Sequence, residues 1–430
     1  MADNNDFPAQ GGQGAFGVGM SRRRALQSLT SAGLGLAAAP WLSRMAWADE
    51  AGGQPSGPGG LPLARPDHPV TLPLYEDPIK SGLKPETGGT FTVFNYADYL
   101  DKKLLDEFGK KYKVKTLLTT FSDMDQAITR LATRAVDVDV TELTPDRLDQ
   151  AVAGKLLKPI NHSYLPNLKN NVWPQLHSPF YDVGSRYTVP YTVYTTGIGW
   201  RSDKVGEDIA KLDNPWSIFW KAQQYKGMAG LINSPREALG LAMLYRHFYG
   251  LNTEDPKRLD QALADLKALM PICSPKVNNT EYQTLAQGSS WLHQAWSGDL
   301  LTGAMYYLPK GTSSKVLRYW TAPKGKAPIQ NDCWAISSTT KKPVLAHLWL
   351  NFLLEEKVAY SNFVNFTGYQ PPINSIDTEA LVNKGLIPEQ LHTAVIKPDD
   401  LGPTSLQYMT LTSKGQALWQ NAYSRFISGT

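Results

Sequence analysis

The chain has 430 residues, 42% of them hydrophobic and 19% charged, with a formal net charge of +4 and a mean hydropathy of −0.32. That balance excludes a disordered chain and a membrane-embedded one, and so small a charge gives no support to nucleic-acid binding. A single core stops growing beyond roughly 250 to 300 residues, so a chain of this length should divide into about two folded lobes.

The N-terminus carries an address. Residues 21 to 27 read SRRRALQ, an apolar stretch rich in Leu, Ala and Gly runs on to Trp41 and Leu42, and Ala46-Trp47-Ala48 supplies a small-residue peptidase site. Arg22-Arg23, with Ser21 before and Ala25-Leu26 after, fits the twin-arginine export consensus, with Ala25 and Gln27 departing from it. The expectation is a signal peptide over 1–48, export by the twin-arginine route to the periplasm, and a mature protein beginning near Asp49. The apolar run is shorter than the roughly 20 residues that a spanning helix needs. Cleavage would remove four arginines and two aspartates and leave a charge of about +2.

From 49 to 88 the sequence is dense in Gly and Pro and reads as a leader arm or linker, with order expected from Thr90. FTVFNYADYL then alternates like a strand entering a loop, and DKKLLDEFGKKY repeats its apolar residues at helical spacing. The alternation continues with strand VKTLLTTF, helix SDMDQAITRLATR, strand VDVDVTEL and helix TPDRLDQAVAGKLL. Such a run predicts an α/β lobe with a largely parallel sheet. Further on, TTGIGWRS (195–202) and GLINS (230–234) read as strands, and PREALGLAMLYRHFYG as a helix opened by Pro235. A long helix LDQALADLKALM, a short strand LLTGAMYYLP, a strand DCWAISS, helices at HLWLNFLLE and EKVAYSNFVNF, and a closing helix from about Lys414 to Ile427 complete the reading.

Chemistry is conspicuous mainly for the types that are missing. No nucleophile elbow, zinc-protease motif, phosphate loop or dinucleotide fingerprint occurs, so neither an enzyme nor a cofactor is expected. The seven histidines are scattered, and His293, between Trp291 and Trp296, is read as a structural histidine. Two cysteines sixty residues apart, Cys273 and Cys333, leave a disulfide and two buried free thiols both open.

Twelve Trp and twenty Tyr are more than packing needs, and Tyr96, Tyr99, Tyr191, Tyr194, Trp296 and Tyr369 fall at strand ends or loops. Strand ends are where α/β lobes carry ligand-binding loops. Aromatic faces attract ammonium groups, and a carboxylate beside them completes a cation site.

In order and spacing, FNYADYLDKKLLDEF, VPYTVYTTGIGWRSDKV, YKGMAGLINSPREAL, LMPICSP, DCWAISS and NFLLEEKVAYSNFVNFTGYQPPIN resemble the periplasmic spermidine/putrescine-binding proteins of ABC importers. The resemblance spans roughly residues 89 to 430. It implies a periplasmic binding protein-like fold of two α/β lobes with a ligand cleft between them, the first lobe over 89–196 and 330–368, the second over 197–329 and 369–430. It also implies chain crossings near Thr195 to Gly197, Gln330 to Asp332 and Tyr369, a polyamine-like cationic ligand, and an ABC permease as partner. Carried over by position, Tyr96 stands where the family has a cage Trp and Tyr99 where it has Tyr. Glu237 matches an amine-binding carboxylate, Trp296 a pocket Trp, Asp332 a ligand-binding Asp and Tyr369 a Tyr near the ligand. Ser234 replaces an Asp, Gln330 replaces an aromatic, and Glu142 stands where Ser is common, as a third carboxylate that would offset the loss at Ser234.

Two acids buried in one cleft make sense when a cation enters between them. An internal salt bridge, for example of Glu237 with Arg236 or a nearby Lys, is the competing reading. The rival solutes are an amino-acid derivative, an aminophosphonate and a ferric ion, and the rival roles are chemoreceptor sensing and, in another class, an exported enzyme.

Overall fold

The computed structural model describes residues 56–430. The signal peptide, its Arg22-Arg23 pair and the cleavage site near Ala48 lie outside the described residues.

Ten strands make one sheet: β1 (Thr90–Tyr96), β2 (Lys115–Phe121), β3 (Val140–Leu143), β4 (Leu157–Lys158), β5 (Thr188–Arg201), β6 (Ala229–Ile232), β7 (Lys276–Asn278), β8 (Leu292–Trp296), β9 (Leu317–Trp320) and β10 (Ile329–Ser337). Their order is β2-β1-β3-β10-β5-β8-β6-β7, with β4 added to β10 and β9 to β5. β1 is parallel to β2 and β3, and β6 to β7 and β8, as right-handed β-helix-β crossovers require. β10 is antiparallel to both β3 and β5.

β5 positions everything that follows. Its residues up to Thr195 pair with β10, and from Thr196 onward they pair with β8 on one side and β9 on the other. One 14-residue strand thus serves two sheet halves and changes partners between two adjacent threonines. Every residue of β5 is buried, which explains why alternation revealed only its second half, TTGIGWRS: a strand covered on both faces shows no polar beat.

Each half has a core on either side of its sheet. Phe91, Val93, Phe108, Val140, Trp334 and Trp349 form one cluster of the first half, and Phe94, Phe121, Leu143, Leu148 and Ala335 the other. In the second half, Ile198, Trp200, Phe219, Leu231 and Trp419 pack with the helices Pro235–Tyr245 and Pro256–Cys273, while Leu285, Leu300, Tyr319, Phe363 and Leu391 pack on the opposite side. After Tyr369 the chain alternates between halves: Ile373, Ile396 and Leu401 join the first core, Leu381 and Leu391 the second half, and Tyr408 to Phe426 the second half again.

Local chemistry sets the helix ends. Asp101 caps the helix Lys102–Tyr112 by accepting from the Lys103 N–H at 2.9 Å, and Leu104, Leu105 and Phe108 turn one face inward. Lys113 closes it in the left-handed region at φ 57°.

Three expectations are corrected. LLTGAMYYLP is helical, with an α-helix at Ser297–Thr302 running into a wide turn at Gly303–Tyr307. Leu300 and Leu301 are buried with Leu285 and Tyr319, and a short apolar run buried on all sides has no period with which to declare itself. VDVDVTEL contributes only Val140–Leu143 to the sheet. The arm before Thr90 is not free, because Leu61, Ala64, Val70 and Leu72 are buried with Phe94, Leu148 and Tyr187, and Arg65 donates to the Thr410 carbonyl at 3.1 Å. A Gly/Pro-rich stretch that cannot fold alone can still pack on a core that others have built. Cys273 and Cys333 are both buried and free. Among the described residues no helix is long and apolar enough to cross a membrane.

Candidate functional site

Where β5 changes partners, five carboxylates and a group of aromatic side chains come together. Asp332 sits on β10 opposite Thr192, just before a bulge between Asp332 and Cys333. Only 5% exposed, it accepts from the Tyr99 hydroxyl at 2.7 Å and the Tyr194 hydroxyl at 3.1 Å. Tyr99 also meets the Thr192 hydroxyl, and the Tyr191 hydroxyl donates to the Tyr99 carbonyl, which fixes the loop after β1 against the strand. Burial pushes the Asp332 carboxyl up to about 7, against the two phenolic hydrogen bonds that favour its charged form.

Glu237 lies across the change of partners, in the first turn of the helix Pro235–Tyr245. Ser234 caps that helix at the Glu237 N–H and Pro235 opens it, so the acid is held at a helix N-terminus, where negative charge is favoured. Its Oε1 accepts from the Thr196 hydroxyl and the Trp296 indole N–H, each at 2.9 Å, and its Oε2 from the Tyr408 hydroxyl at 3.1 Å. Burial raises its proton affinity and these three donors oppose it.

The salt-bridge alternative fails on geometry. The Arg236 guanidinium points away from Glu237 to the carbonyls of Leu251 and Met409 and to Asn252 Oδ1, between the rings of Tyr408 and Trp419. Among the described residues no ion pair engages Glu142, Glu237 or Asp332.

Between the two acids stands an aromatic wall. Tyr369 packs edge-on against Tyr99 and Tyr194, with ring centroids 4.8 and 5.7 Å apart, and Tyr194 meets Trp296 at 6.1 Å. Tyr96 is half-buried and contacts Tyr99 at 6.2 Å. Tyr369 can lie this close because position 298 is glycine: a Cβ there would fall 2.4 Å from its ring. Gln330 is buried opposite Tyr194 in the ladder, and its Nε2 has no acceptor. Glu142, on β3, is wholly buried, and neither of its oxygens has a donor. Burial first and the Asp332 charge second hold its carboxyl well above the usual carboxylate range.

All nine residues singled out from the sequence therefore lie along this seam: Tyr96, Tyr99, Glu142, Gln330 and Asp332 in the first half, Glu237 and Trp296 in the second with Ser234 capping the helix, and Tyr369 touching both. Sequence reasoning missed Thr192, Thr196, Tyr408, Asp299 and Glu281. Asp299 accepts from the Tyr369 hydroxyl at 2.8 Å, and burial raises its carboxyl to about 6. Glu281 is buried beside it without a donor to either oxygen, and burial and the Asp299 charge hold it well above the usual range. The only signal for Asp299 was its place three residues after Trp296; Tyr408 and Glu281 left none, because nothing in their own neighbourhoods announces a partner so distant in the chain. His293 is buried on β8 and, with burial holding it down at about 4, is neutral at physiological pH.

A surface of phenol and indole with several acids and no basic side chain paired to Glu142, Glu237 or Asp332 suits a cation. In this structure burial holds the Tyr99 and Tyr194 hydroxyls well above their ordinary range, and both donate to Asp332. A profile for the bacterial extracellular solute-binding proteins matches residues 103–388. The chain belongs to that family. Its members bind solutes, and catalysis is not their role.

Among curated proteins, this solute-binding protein is similar to the spermidine/putrescine-binding periplasmic protein of Escherichia coli strain K12, with 25% identity over 345 residues covering 80% of this chain and 93% of that one. It is equally similar to a putrescine/cadaverine-binding protein of Pseudomonas aeruginosa, 25% identical over 316 residues, 71% of this chain and 87% of the other. Among solved structures, a putative spermidine/putrescine ABC transporter protein from Listeria monocytogenes superposes with a TM-score of 0.66 at 21% identity, covering 79% of this chain and 99% of that one. The fold is thus the mixed α/β fold of periplasmic binding proteins. The same fold is shared with iron-bound HitA from Pseudomonas aeruginosa at 14% identity and a TM-score of 0.53, over 77% of this chain and 99% of that one, so fold alone does not name the solute.

Proposed function

We propose that this protein captures a small cationic amine, a polyamine of the spermidine/putrescine kind, in the seam between its two halves and hands it to an ABC permease in the inner membrane. The carrying observation is that Glu142, Glu237 and Asp332 are buried around one aromatic cluster with no basic side chain paired to any of them. Holding unpaired charges out of water costs several kcal/mol each, and a ligand ammonium is the natural way to recover it. The names of the similar proteins support the same class. Thr192 and Thr196, which border Asp332 and Glu237, are four residues apart on one strand, a span on the order of 13 Å. That span suits an extended ligand with a cationic nitrogen near each end.

On this reading the halves are lobes, 89–196 with 330–368 and 197–329 with 369–430, except that Ile373, Ile396 and Leu401 pack on the first, and they part at the Thr195/Thr196 junction to admit the ligand. Tyr96, Tyr99, Trp296 and Tyr369 form the cage, Glu142, Glu237 and Asp332 take the charges, and Ser234 and Gln330 line the ends. The protein would work in the periplasm after twin-arginine export and cleavage near Ala48. No cofactor or metal enters this reading.

The test is a thermal-shift and calorimetric screen of the mature protein with putrescine, cadaverine, spermidine, opines, phosphonates and ferric citrate. A polyamine at a hundred times its Kd should stabilise the protein by about 2.7 kcal/mol. Stabilisation by an opine, a phosphonate or iron alone would replace the polyamine assignment.

A further inference from the structure

At the Asp332 end of the site, hydrogen-bonding capacity is left over. Glu142 on β3 faces Trp334 on β10 in the ladder, and Asp332 is two residues along the same strand, so the two acids share one face of the sheet. Asp332 has its two phenolic donors; Glu142 has none for either oxygen, although it is wholly buried. Asn95 continues β1 past the Phe94–Thr141 pair to stand beside Glu142. Glu142 is thus a buried carboxyl with both oxygens unpartnered, on the same sheet face as a second acid. Buried polar groups are satisfied as a rule, and each exception calls for a cause.

We propose that Glu142 is a specificity-determining residue: together with Asp332 it makes this end of the site a two-carboxyl station that takes a ligand ammonium and gives up a proton to solvent in exchange. The inference rests on the cationic-amine reading above. An ammonium carries three N–H donors, enough for both acids at once. Asp332 ionises first because its phenolic donors favour its charge, and its negative charge then keeps the proton on Glu142. The ionisable groups around Glu142 are Tyr96 on β1, Tyr99 after it, Asp146 after β3, Tyr191 and Tyr194 on β5, and Asp332 on β10, with Cys333 on the opposite face. None is a cation, and Arg147, the nearby base, gives its guanidinium to Asp125 at 2.9 Å. Entry of R–NH3⁺ supplies the missing positive charge; the Glu142 O–H bond breaks, its proton goes to buffer, and the net charge of the site rises by less than that of the ligand.

Calorimetry of the mature protein with putrescine, cadaverine and spermidine at pH 8, in two buffers of different ionisation enthalpy, counts the protons exchanged. At that pH, above the value of about 7 for Asp332, the wild type should release protons to the buffer on binding. Glu142→Gln replaces a neutral carboxyl by a neutral amide of the same shape, so its melting temperature should hold. It should release essentially no proton and bind roughly ten- to a hundredfold more weakly, the loss expected when a charge-assisted hydrogen bond is removed. Glu142→Asp keeps the acid and should keep the proton release. Wild-type binding with no proton exchanged, or the same release from Glu142→Gln, overturns the inference while leaving the polyamine reading intact. A wild type that binds none of the three amines overturns both.

Discussion

Asp332 makes the cost of burying an acid measurable. Its carboxyl is raised to about 7 by burial, whereas in the unfolded chain it ionises near 4. The folded empty protein therefore binds a proton more tightly than the unfolded one. This contribution to stability is fully present below about pH 4 and is lost as pH rises through 7. Ligand-free protein should melt higher at pH 5.5 than at pH 8 on account of this group, and Asp332→Asn should flatten that dependence, gaining on the order of a few kcal/mol at pH 8 and weakening amine binding. A variant that melts several degrees lower than wild type at pH 8 and binds amines as before would remove Asp332 from the site. The sequence pointed to this residue, along with Glu237, through the resemblance of the segments QNDCWAI and SPRE to those of the polyamine-binding family. What it could not show is the company they keep. Tyr408 reaches Glu237 across 171 positions and Tyr99 reaches Asp332 across 233, and no local pattern encodes such a pairing.

Among elements, legibility followed amphipathicity. Helices with one wet face, such as Lys102–Tyr112 and Pro256–Cys273, and strands with a regular beat declared themselves, while the first half of β5 and the helix Ser297–Thr302 did not. β5 and the helix Ser297–Thr302 are buried throughout, and burial on every side erases the period on which such readings depend. That short helix also carries close packing in the site, Gly298 under the Tyr369 ring. Gly298→Ala would gain helix propensity of up to about 1 kcal/mol, yet its methyl group would meet the ring at 2.4 Å. Overpacking of this kind costs about 1 to 3 kcal/mol, so the variant should melt lower and lose affinity as Tyr369 is pushed off Asp299. Differential scanning calorimetry with an amine titration checks both; a variant more stable than wild type with unchanged affinity would show that the ring moves freely.

At the level of the whole molecule, two-lobe architecture was legible from length and the alternation of strands and helices, but the share of the N-terminal arm was not. Its composition disqualified it as an independent fold, and only the assembled structure shows Leu61, Val70 and Leu72 in a core and Arg65 bonded to the Thr410 carbonyl. The export reading belongs to this scale as well. Changing Arg22 and Arg23 together to Lys should leave precursor in the cytoplasm, measured by fractionation and immunoblotting; normal secretion by that variant would point to the general pathway instead.

The place of β10 between β3 and β5 bears on how the chain is made. Trp334 pairs with Glu142, so the central strand of the first half is synthesised almost two hundred residues after the strand it adjoins. Until residue 337 has left the ribosome, β3 and β5 both present open edges, with backbone donors and acceptors that any other extended segment can claim. Neither half is a contiguous stretch that could finish folding ahead of the other. Pairings of such separation form slowly, so a nascent or truncated chain ending before β10 is the form most exposed to aggregation, and a chaperone that shields those two edges would matter more here than in a protein whose lobes follow one another in sequence.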